Sequence, residues 1–322
     1  MALTGNGFSR WLRGESEMDD QQNEHEALEH VLIDIDAAPI MLSYAFLRKI
    51  TNDFSNEIGR GGYGIVYMGF LRNGRVAVKK LSKVDEFSEK QFVDELKCLI
   101  RVKHRNIVRF LGYCSDIQQK LEQYDGRFVL ADIQRRFLCF EYVTNKSIHN
   151  YLTEESKGHE CDTRYQLIEG ICQGLLYLHN EERINHLDLK PENILLDADM
   201  IPKITDFGLS RRFSGEQSRI ITEHIRGTLG YIAPEYLSKG EISFKTDIFS
   251  LGIIMKKILR GSNDLSDFEK ALEGEVRLSP TEGSTQIPNW SSQDEKKGPE
   301  KLQSPTEDPL PCHFPGVELK HE

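Results

Sequence analysis

The hydrophobic positions change period along the chain. Between Phe54 and Val143 they fall mostly in short runs suited to strands. Ile65-Val66-Tyr67 and Val76-Ala77-Val78 flank Asn73-Gly74, a dipeptide that favours a tight hairpin turn. Residues 88–101 switch to helical spacing, with Phe92, Leu96 and Leu99 on one face. Residues 107–113 and 137–142 then return to strand character. A small sheet with one helix is expected. From about Ser147 to Gly261 helical spacing dominates. Leu167, Ile168, Ile171, Leu175 and Leu178 predict a helix over residues 165–179, and a second is expected over 246–259. Ahead of the sheet, Leu42, Phe46, Leu47 and Ile50 predict a short helix within 41–51.

The two ends lack this periodicity. Residues 1–38 are polar and acidic, with Glu15, Glu17, Asp19, Asp20, Glu24 and Glu26, so residues 1–40 read as a flexible extension. Beyond Gly261 the chain is rich in Ser, Thr, Glu and Pro, and residues 263–322 read as a disordered acidic tail. Between them the pattern divides into a sheet-bearing lobe over 41–143 and a helical lobe over 144–262. The expected class is α+β.

Composition narrows the setting. The 322 residues are 39% hydrophobic and 29% charged, ordinary for a globular chain of one large domain or two lobes. A formal net charge of -10 argues against nucleic acid or an anionic membrane as the main partner. None of the 6 Cys forms a Cys-x-x-Cys pair, and most sit in apolar runs, which suits buried free thiols in a reducing compartment. No apolar run reaches the roughly 18 residues of a membrane span. The N-terminus lacks a signal-peptide core, and Ala2 breaks the myristoylation pattern. A cytoplasmic protein follows, reaching the inner face of the plasma membrane only through partners.

Four segments carry candidate chemistry. Gly59-Arg60-Gly61-Gly62-Tyr63-Gly64-Ile65-Val66 fits Gly-x-Gly-x-x-Gly-x-Val, in which glycines let backbone N–H groups approach a phosphate. Alone, it could equally be a ligand-free hairpin. A dinucleotide site is disfavoured, because a strand rather than a helix follows the glycines. Val76-Ala77-Val78-Lys79 ends a strand on a cation, which needs a partner if buried. Glu95 on the following helix is the candidate, although a solvated Lys and Glu would look the same. The third segment is His186-Leu187-Asp188-Leu189-Lys190-Pro191-Glu192-Asn193. Its spacing places a carboxylate to orient a hydroxyl proton (Asp188), a cation to offset phosphoryl charge (Lys190) and an amide to bind a metal ion (Asn193). Asp206-Phe207-Gly208 follows, with Asp206 the second candidate ligand for Mg²⁺.

In that order, and with Ala233-Pro234-Glu235 after them, these motifs resemble the protein-kinase superfamily. Within it they resemble plant receptor-like and receptor-like cytoplasmic kinases of the cysteine-rich type. His104-Arg105-Asn106-Ile107-Val108 and Gly227-Thr228-Leu229-Gly230-Tyr231 support that, over roughly residues 41–262. The resemblance implies a bilobal fold with Mg·ATP in the cleft. Adenine would meet the hinge Glu141, Tyr142 and Val143 behind Phe140, between Val66, Ala77 and Leu195. Lys190 in Asp-x-Lys-Pro-Glu-Asn is the wording of Ser/Thr kinases, Thr228 matches a substrate-seating Thr, and Asp247 matches a brace for the catalytic loop. Protein Ser/Thr hydroxyls would be the substrate, with an upstream receptor as partner.

Three departures stand out. Leu187 replaces the Arg that in most kinases pairs with a phosphate on the activation segment. Residues 115–136 are longer than a usual turn, with Tyr124-Asp125-Gly126-Arg127 as the tip of an extended hairpin. The helical lobe reads as truncated after Gly261, and the usual partner of Glu235 is not found. That last point leaves a second reading open: a catalytically impaired ATP-binding scaffold.

Overall fold

A computed structural model describes residues 21–82, 88–124, 127–153 and 161–260. The described residues begin with α1 (residues 21–33), β1 (Ile40–Met41) and α2 (Tyr44–Ile50). Ser43 caps α2, its Oγ accepting from the Phe46 N–H at 3.1 Å, while Arg48 and Lys49 sit in the last turn, where they meet the negative end of the helix dipole. Then come β2 (Glu57–Gly61), β3 (Gly64–Phe70), β4 (Arg75–Leu81), α3 (Ser88–Leu99), β5 (Phe110–Tyr124) and β6 (Arg127–Glu141). These strands make one sheet in the order β1-β5-β6-β4-β3-β2, antiparallel except for the β1–β5 edge.

The flexible extension expected over residues 1–40 is corrected by α1. Leu28 and Val31 are buried among Phe46, Leu47, Ile50, Leu71 and Leu111. The signal was short: Leu28, Val31 and Leu32 fall at helical spacing, inside an acidic stretch that hides it. Polar bonds fasten the same helix. Glu24 accepts from both the backbone N–H and the hydroxyl of Ser43, each at 2.7 Å, and Glu29 accepts from the Asn73 N–H at 2.9 Å. Residues 1–20 lie outside the described residues.

The hairpin β5–β6 runs well past its hydrophobic runs, as the length of residues 115–136 led one to expect. From Ser115 to Tyr124 and from Arg127 to Arg136 the two strands pair with each other, and β4 joins β6 only from Phe137 onward. The tip residues 125–126 lie outside the described residues.

Beyond the sheet come α4 (Ile148–Thr153), α5 (Cys161–Asn180), β7 (Ile184–Asn185), a 3-10 turn (Pro191–Asn193), β8 (Ile194–Leu196) and β9 (Pro202–Ile204). They are followed by β10 (Arg211–Arg212), β11 (Arg219–Ile221), α6 (Pro234–Lys239), β12 (Glu241–Ser243) and α7 (Phe244–Arg260). A continuous core ties this helical part to the sheet: Phe92, Leu99 and Leu138 from the sheet side join Leu167, Ile171, Ile194, Phe207 and Ile254. Helix α5 lies so close to the loop before β5 that a Cβ on Gly174 would stand 2.9 Å from the Asn106 carbonyl oxygen. The early end of the helical lobe and the tail over 263–322 both fall outside the described residues. Among the described residues, no helix is long and apolar enough to cross a membrane.

Candidate active site

Lys79 ends the buried part of β4, opposite Val66 on β3 and Leu138 on β6. Its side chain leaves the sheet toward α3 and the segment after β9. Nζ lies 3.0 Å from Glu95 Oε1 and 2.8 Å from Asp206 Oδ1. Burial would lower the Lys79 pKa, but the Asp206 and Glu95 carboxylates more than offset it, so the ammonium is held above its ordinary range. Burial pushes the Glu95 carboxyl up, against the pull of Lys79. For Asp206 burial acts in the same upward sense, and the Lys79 ammonium outweighs it and holds the carboxyl down. One cation therefore serves two carboxylates of unlike character.

The loop between β7 and β8 is braced from beneath by Asp247 of α7, which is fully buried. Asp247 accepts from the backbone N–H of His186 at 2.7 Å and of Leu187 at 2.8 Å, and meets His179 Nε2 at 2.9 Å. This places Asp247 where the resemblance put a brace. His186 adds a second tie. Its Nε2 is 2.9 Å from the Thr205 carbonyl oxygen, an acceptor, so Nε2 carries the proton and Nδ1 is free to accept from the Asp188 N–H at 3.3 Å. Its ring meets Phe207 edge-on with centroids 5.2 Å apart. The loop carrying Asp188 and the segment carrying Asp206 are thus joined through His186, a link the motif alone did not reveal.

Asp188 is buried, and both carboxylate oxygens are engaged. Oδ1 accepts from the Thr228 hydroxyl at 2.7 Å, while Oδ2 accepts from Asn193 Nδ2 and lies near Lys190 Nζ, each at 3.1 Å. Lys190 also donates to Thr228 Oγ1 at 2.8 Å. The Thr228 hydroxyl therefore bridges the carboxylate and the ammonium. Asn193 spends its amide N–H groups on Asp188, and its amide oxygen accepts from no described residue.

The glycine segment spans β2, a turn at Gly62-Tyr63, and the start of β3. Gly59 pairs with Val66, Arg60 with Ile65 and Gly61 with Gly64. Gly64 has a φ of 155°, and a Cβ there would stand 2.3 Å from the Lys80 carbonyl oxygen, so the protein itself demands glycine. At Gly61 and Gly62 nothing lies within 4 Å of an added Cβ. Arg60 forms an ion pair with Glu57 at 2.6 Å. Tyr63 reaches down from the turn. It packs beside Leu187, Leu209 and Phe213, with its Cγ 3.4 Å from a Cβ built on Gly208. Burial and then the Asp188 and Asp206 carboxylates push its phenol up to about 12.

The remaining sequence candidates differ in burial and in their partners. Val66, Ala77 and Leu195 are half-buried, and Val143 is buried. Ala77 stands opposite Phe140 on β6. The Glu141 carboxylate is committed to the fold, accepting from the Arg109 N–H and from Lys203 Nζ, each at 2.9 Å.

A sheet-borne lysine paired with one carboxylate from a helix, Glu95, and one from a loop, Asp206, is the arrangement of a protein-kinase-type site. Comparison with known proteins agrees: the protein kinase domain family matches residues 53–308, and the chain belongs to it. The match runs past Gly261 into residues outside those described. A domain of this family uses ATP and a divalent metal ion. Cysteine-rich receptor-like protein kinase 7 of Arabidopsis thaliana is 41% identical over 237 residues, which are 71% of this chain and 34% of that protein. Cysteine-rich receptor-like protein kinase 10 of the same plant is 40% identical over 240 residues, 72% of this chain and 34% of the relative. The G-type lectin S-receptor-like serine/threonine-protein kinase RKS1 of Arabidopsis thaliana is 39% identical over 228 residues, 69% and 26% of the two chains. The chain spans about a third of the length of the first two relatives.

Proposed function

We propose that the chain transfers the γ-phosphoryl group of ATP to Ser and Thr hydroxyls of proteins. The observation that carries this reading is the joint engagement of Asp188 by Thr228, Lys190 and Asn193. A carboxylate fixed on three sides keeps one orientation, which is what positioning a hydroxyl proton requires.

The residues present fit a nucleotide and Mg²⁺. The open space above Gly61 and Gly62 means that packing does not explain those glycines, whereas a phosphate lying over the turn would. Asp206 and the uncommitted amide oxygen of Asn193 are hard oxygen donors of the kind Mg²⁺ takes. Among the described residues no cluster of three or more His, Cys, Asp or Glu could hold a metal alone, so the ion would lean on nucleotide oxygens. When bound, Mg·ATP supplies the electrophilic phosphoryl group with part of its charge neutralised.

The chain's own groups divide the work. Lys79, kept charged by Asp206 and Glu95, would hold the nucleotide's phosphates. Gly59, Arg60, Gly61, Gly62, Tyr63 and Gly64 would cover them. Val66, Ala77, Leu195, Glu141 and Val143 would frame the base. Asp188 orients the hydroxyl and receives its proton, and Lys190 faces the charge that grows on the phosphoryl oxygens. In this reading the chain works in the cytoplasm with an upstream receptor as partner and reaches the membrane through partners, and the relatives it resembles are named receptor-like kinases. We place the two lobes at 41–143 and 144–262.

The test is transfer of labelled γ-phosphate to the chain itself or to a generic protein. The natural chain should exceed an Asp188→Asn control by about 10²–10⁴-fold, the usual weight of a positioned acid–base group. Equal signals refute catalysis, and binding of Mg·ATP without transfer would leave a scaffold role.

A further inference from the structure

The far part of the β5–β6 hairpin stands clear of the sheet. Ten facing pairs, from Ser115–Arg136 to Tyr124–Arg127, have no third strand beside them. On one side β1 meets β5 only at Gly112 and Tyr113, and on the other β4 meets β6 only over residues 137–141. A two-stranded ribbon by itself is marginally stable in water, and one with an apolar face gains most from a cover over that face.

Residues directly opposed in such a ladder share a face. Through the pairs Ile117–Gln134, Leu121–Leu130 and Gln123–Phe128, four large apolar residues gather on one side of the ribbon: Ile117, Leu121, Phe128 and Leu130. Each is between 59% and 70% exposed, so no described element lies over them. A lone exposed leucine is ordinary, whereas four such residues on one face are an uncovered patch. The opposite face is polar near the sheet, where Asp116 stands 3.7 Å from Arg135, and it carries Val129 further out.

We propose that this apolar face packs against the same face of a second copy of the chain, related by a two-fold axis. Charge favours a copy of itself over other occupants. The chain carries a formal net charge of -10, so two copies repel wherever charged surfaces meet. Between the apolar residues of this face stand Gln119, Gln123 and Gln134. An amide both donates and accepts, so it can face its own copy, which a carboxylate or an ammonium does poorly. By strand register Asp132, opposite Gln119, is the one charged position on this face between 117 and 134. Size sets the strength. A ribbon of this length offers a face about 30 Å long and about 10 Å wide, or roughly 300 Å² in projection. That is well short of the about 800 Å² per partner of a standard stable interface, so the pair is weak and forms as concentration rises. Two such faces would stack about 10 Å apart, as sheets do.

The experiment is sedimentation equilibrium of the full chain without nucleotide, over about a hundredfold range of concentration. The natural chain should pass from monomer to dimer. Leu121→Gln with Leu130→Gln should weaken the dimer by at least about 100-fold, because the two-fold places each substitution in the interface twice. Leu121→Met with Leu130→Met keeps the apolar area and should dimerise like the natural chain, which separates loss of the face from a folding defect. Val129→Gln makes the same chemical change on the opposite face and should leave the dimer unchanged. Asp132→Asn removes the one like-charge contact and should tighten it. A natural chain that stays monomeric throughout overturns the proposal, whether or not it sediments with added phosphatidylcholine vesicles. Equal weakening by Val129→Gln and by the glutamine pair also overturns it, since the ribbon edge or the hairpin's own folding would then be responsible. A dimer weakened by Asp132→Asn would place that residue against a cation, which this face lacks, and overturns the face-to-face packing. The assay needs no phosphoryl transfer, so this inference and the kinase reading fail separately.

Discussion

Leu187 and Asp188 are neighbours in sequence and face opposite surroundings. Asp188 sits among a hydroxyl, an ammonium and an amide. Leu187 is buried with Leu209, Phe213, Ala233, Tyr236 and Ile242. The backbone makes the turn between them at a cost: Leu187 has a φ of 67°, which a leucine rarely adopts. Asp247 stabilises that turn by holding the N–H groups of His186 and Leu187. The brace therefore grips backbone and not side chain, which leaves position 187 free to be apolar. On the Leu187 side the segment after Asp206 is anchored by packing, and by β11 pairing with β12, where Ile220 stands opposite Ile242. Neither anchor needs a phosphate. On the Asp188 side every contact is polar and depends on charge.

The largest expected effect tests the polar side at the buried Lys79 ion pairs. Lys79→Met removes one cation and strands two carboxylates. Breaking a buried pair costs about 3–5 kcal/mol, so denaturant unfolding of the nucleotide-free variant should show a loss of that order. A loss below about 1 kcal/mol, the level of an exposed pair, would mean that the triad is not buried as described. The apolar side should lose somewhat less. Leu187→Ala should cost about 2–5 kcal/mol by emptying the cluster. Leu187→Arg should fare worse than alanine, because it places an unpaired charge there. An arginine variant as stable as the natural chain would show that packing does not hold this segment.

A smaller effect separates the bridge from its ends. Thr228→Ala removes the bonds to Asp188 and Lys190 while leaving both charges in place. A hydrogen bond to a charged group is worth about 1.5–3 kcal/mol, so transfer should fall by about 10- to 100-fold. Thr228→Ser should recover most of it. If serine and alanine are equally slow, the hydroxyl is not the bridging group and the methyl packing is what matters.

The motifs were legible because their residues are local. The spacing from Asp188 to Asn193 is short enough that one loop presents both. The sheet was legible where Asn73-Gly74 forced a hairpin and Val-rich runs flanked it. Glu95 could be named because it lies on the one face of α3 that also carries Phe92 and Leu99 inward. What the sequence hid depends on distant partners. α1 was missed because its stripe of Leu28, Val31 and Leu32 acquires meaning only against Phe46 and Leu47 of α2. The extended hairpin β5–β6 was legible only from the length of residues 115–136, because residues such as Gln118, Gln119 and Gln134 give no apolar alternation, and pairing rather than burial makes them strands.

Tyr63 touches both sides of the comparison and permits its finest test. Its ring packs on the apolar cluster with Leu187, and its phenol feels the carboxylates of Asp188 and Asp206. Burial first, then those carboxylates, raises its pKa from 10.0 to about 12. Because the folded value lies above the unfolded one, the protonated phenol favours the folded state. That contribution is complete below pH 10 and is lost as pH rises through about 12. A rapid jump to pH 11, read by phenolate absorbance before unfolding, isolates the effect. A free phenol would be about nine-tenths ionised there, whereas Tyr63 should stay mostly neutral. The natural chain and Tyr63→Phe should therefore show nearly the same early absorbance and diverge only as the protein unfolds. An early difference of one full phenolate would mean that the glycine turn stands open, away from Gly208. Adding Asp188→Asn removes one repelling carboxylate but leaves the apolar contact intact. Early ionisation should then increase only modestly, because burial is the larger cause. If it rises to the free-phenol level, charge rather than packing holds the turn down, and the apolar side of the loop contributes less than its burial suggests.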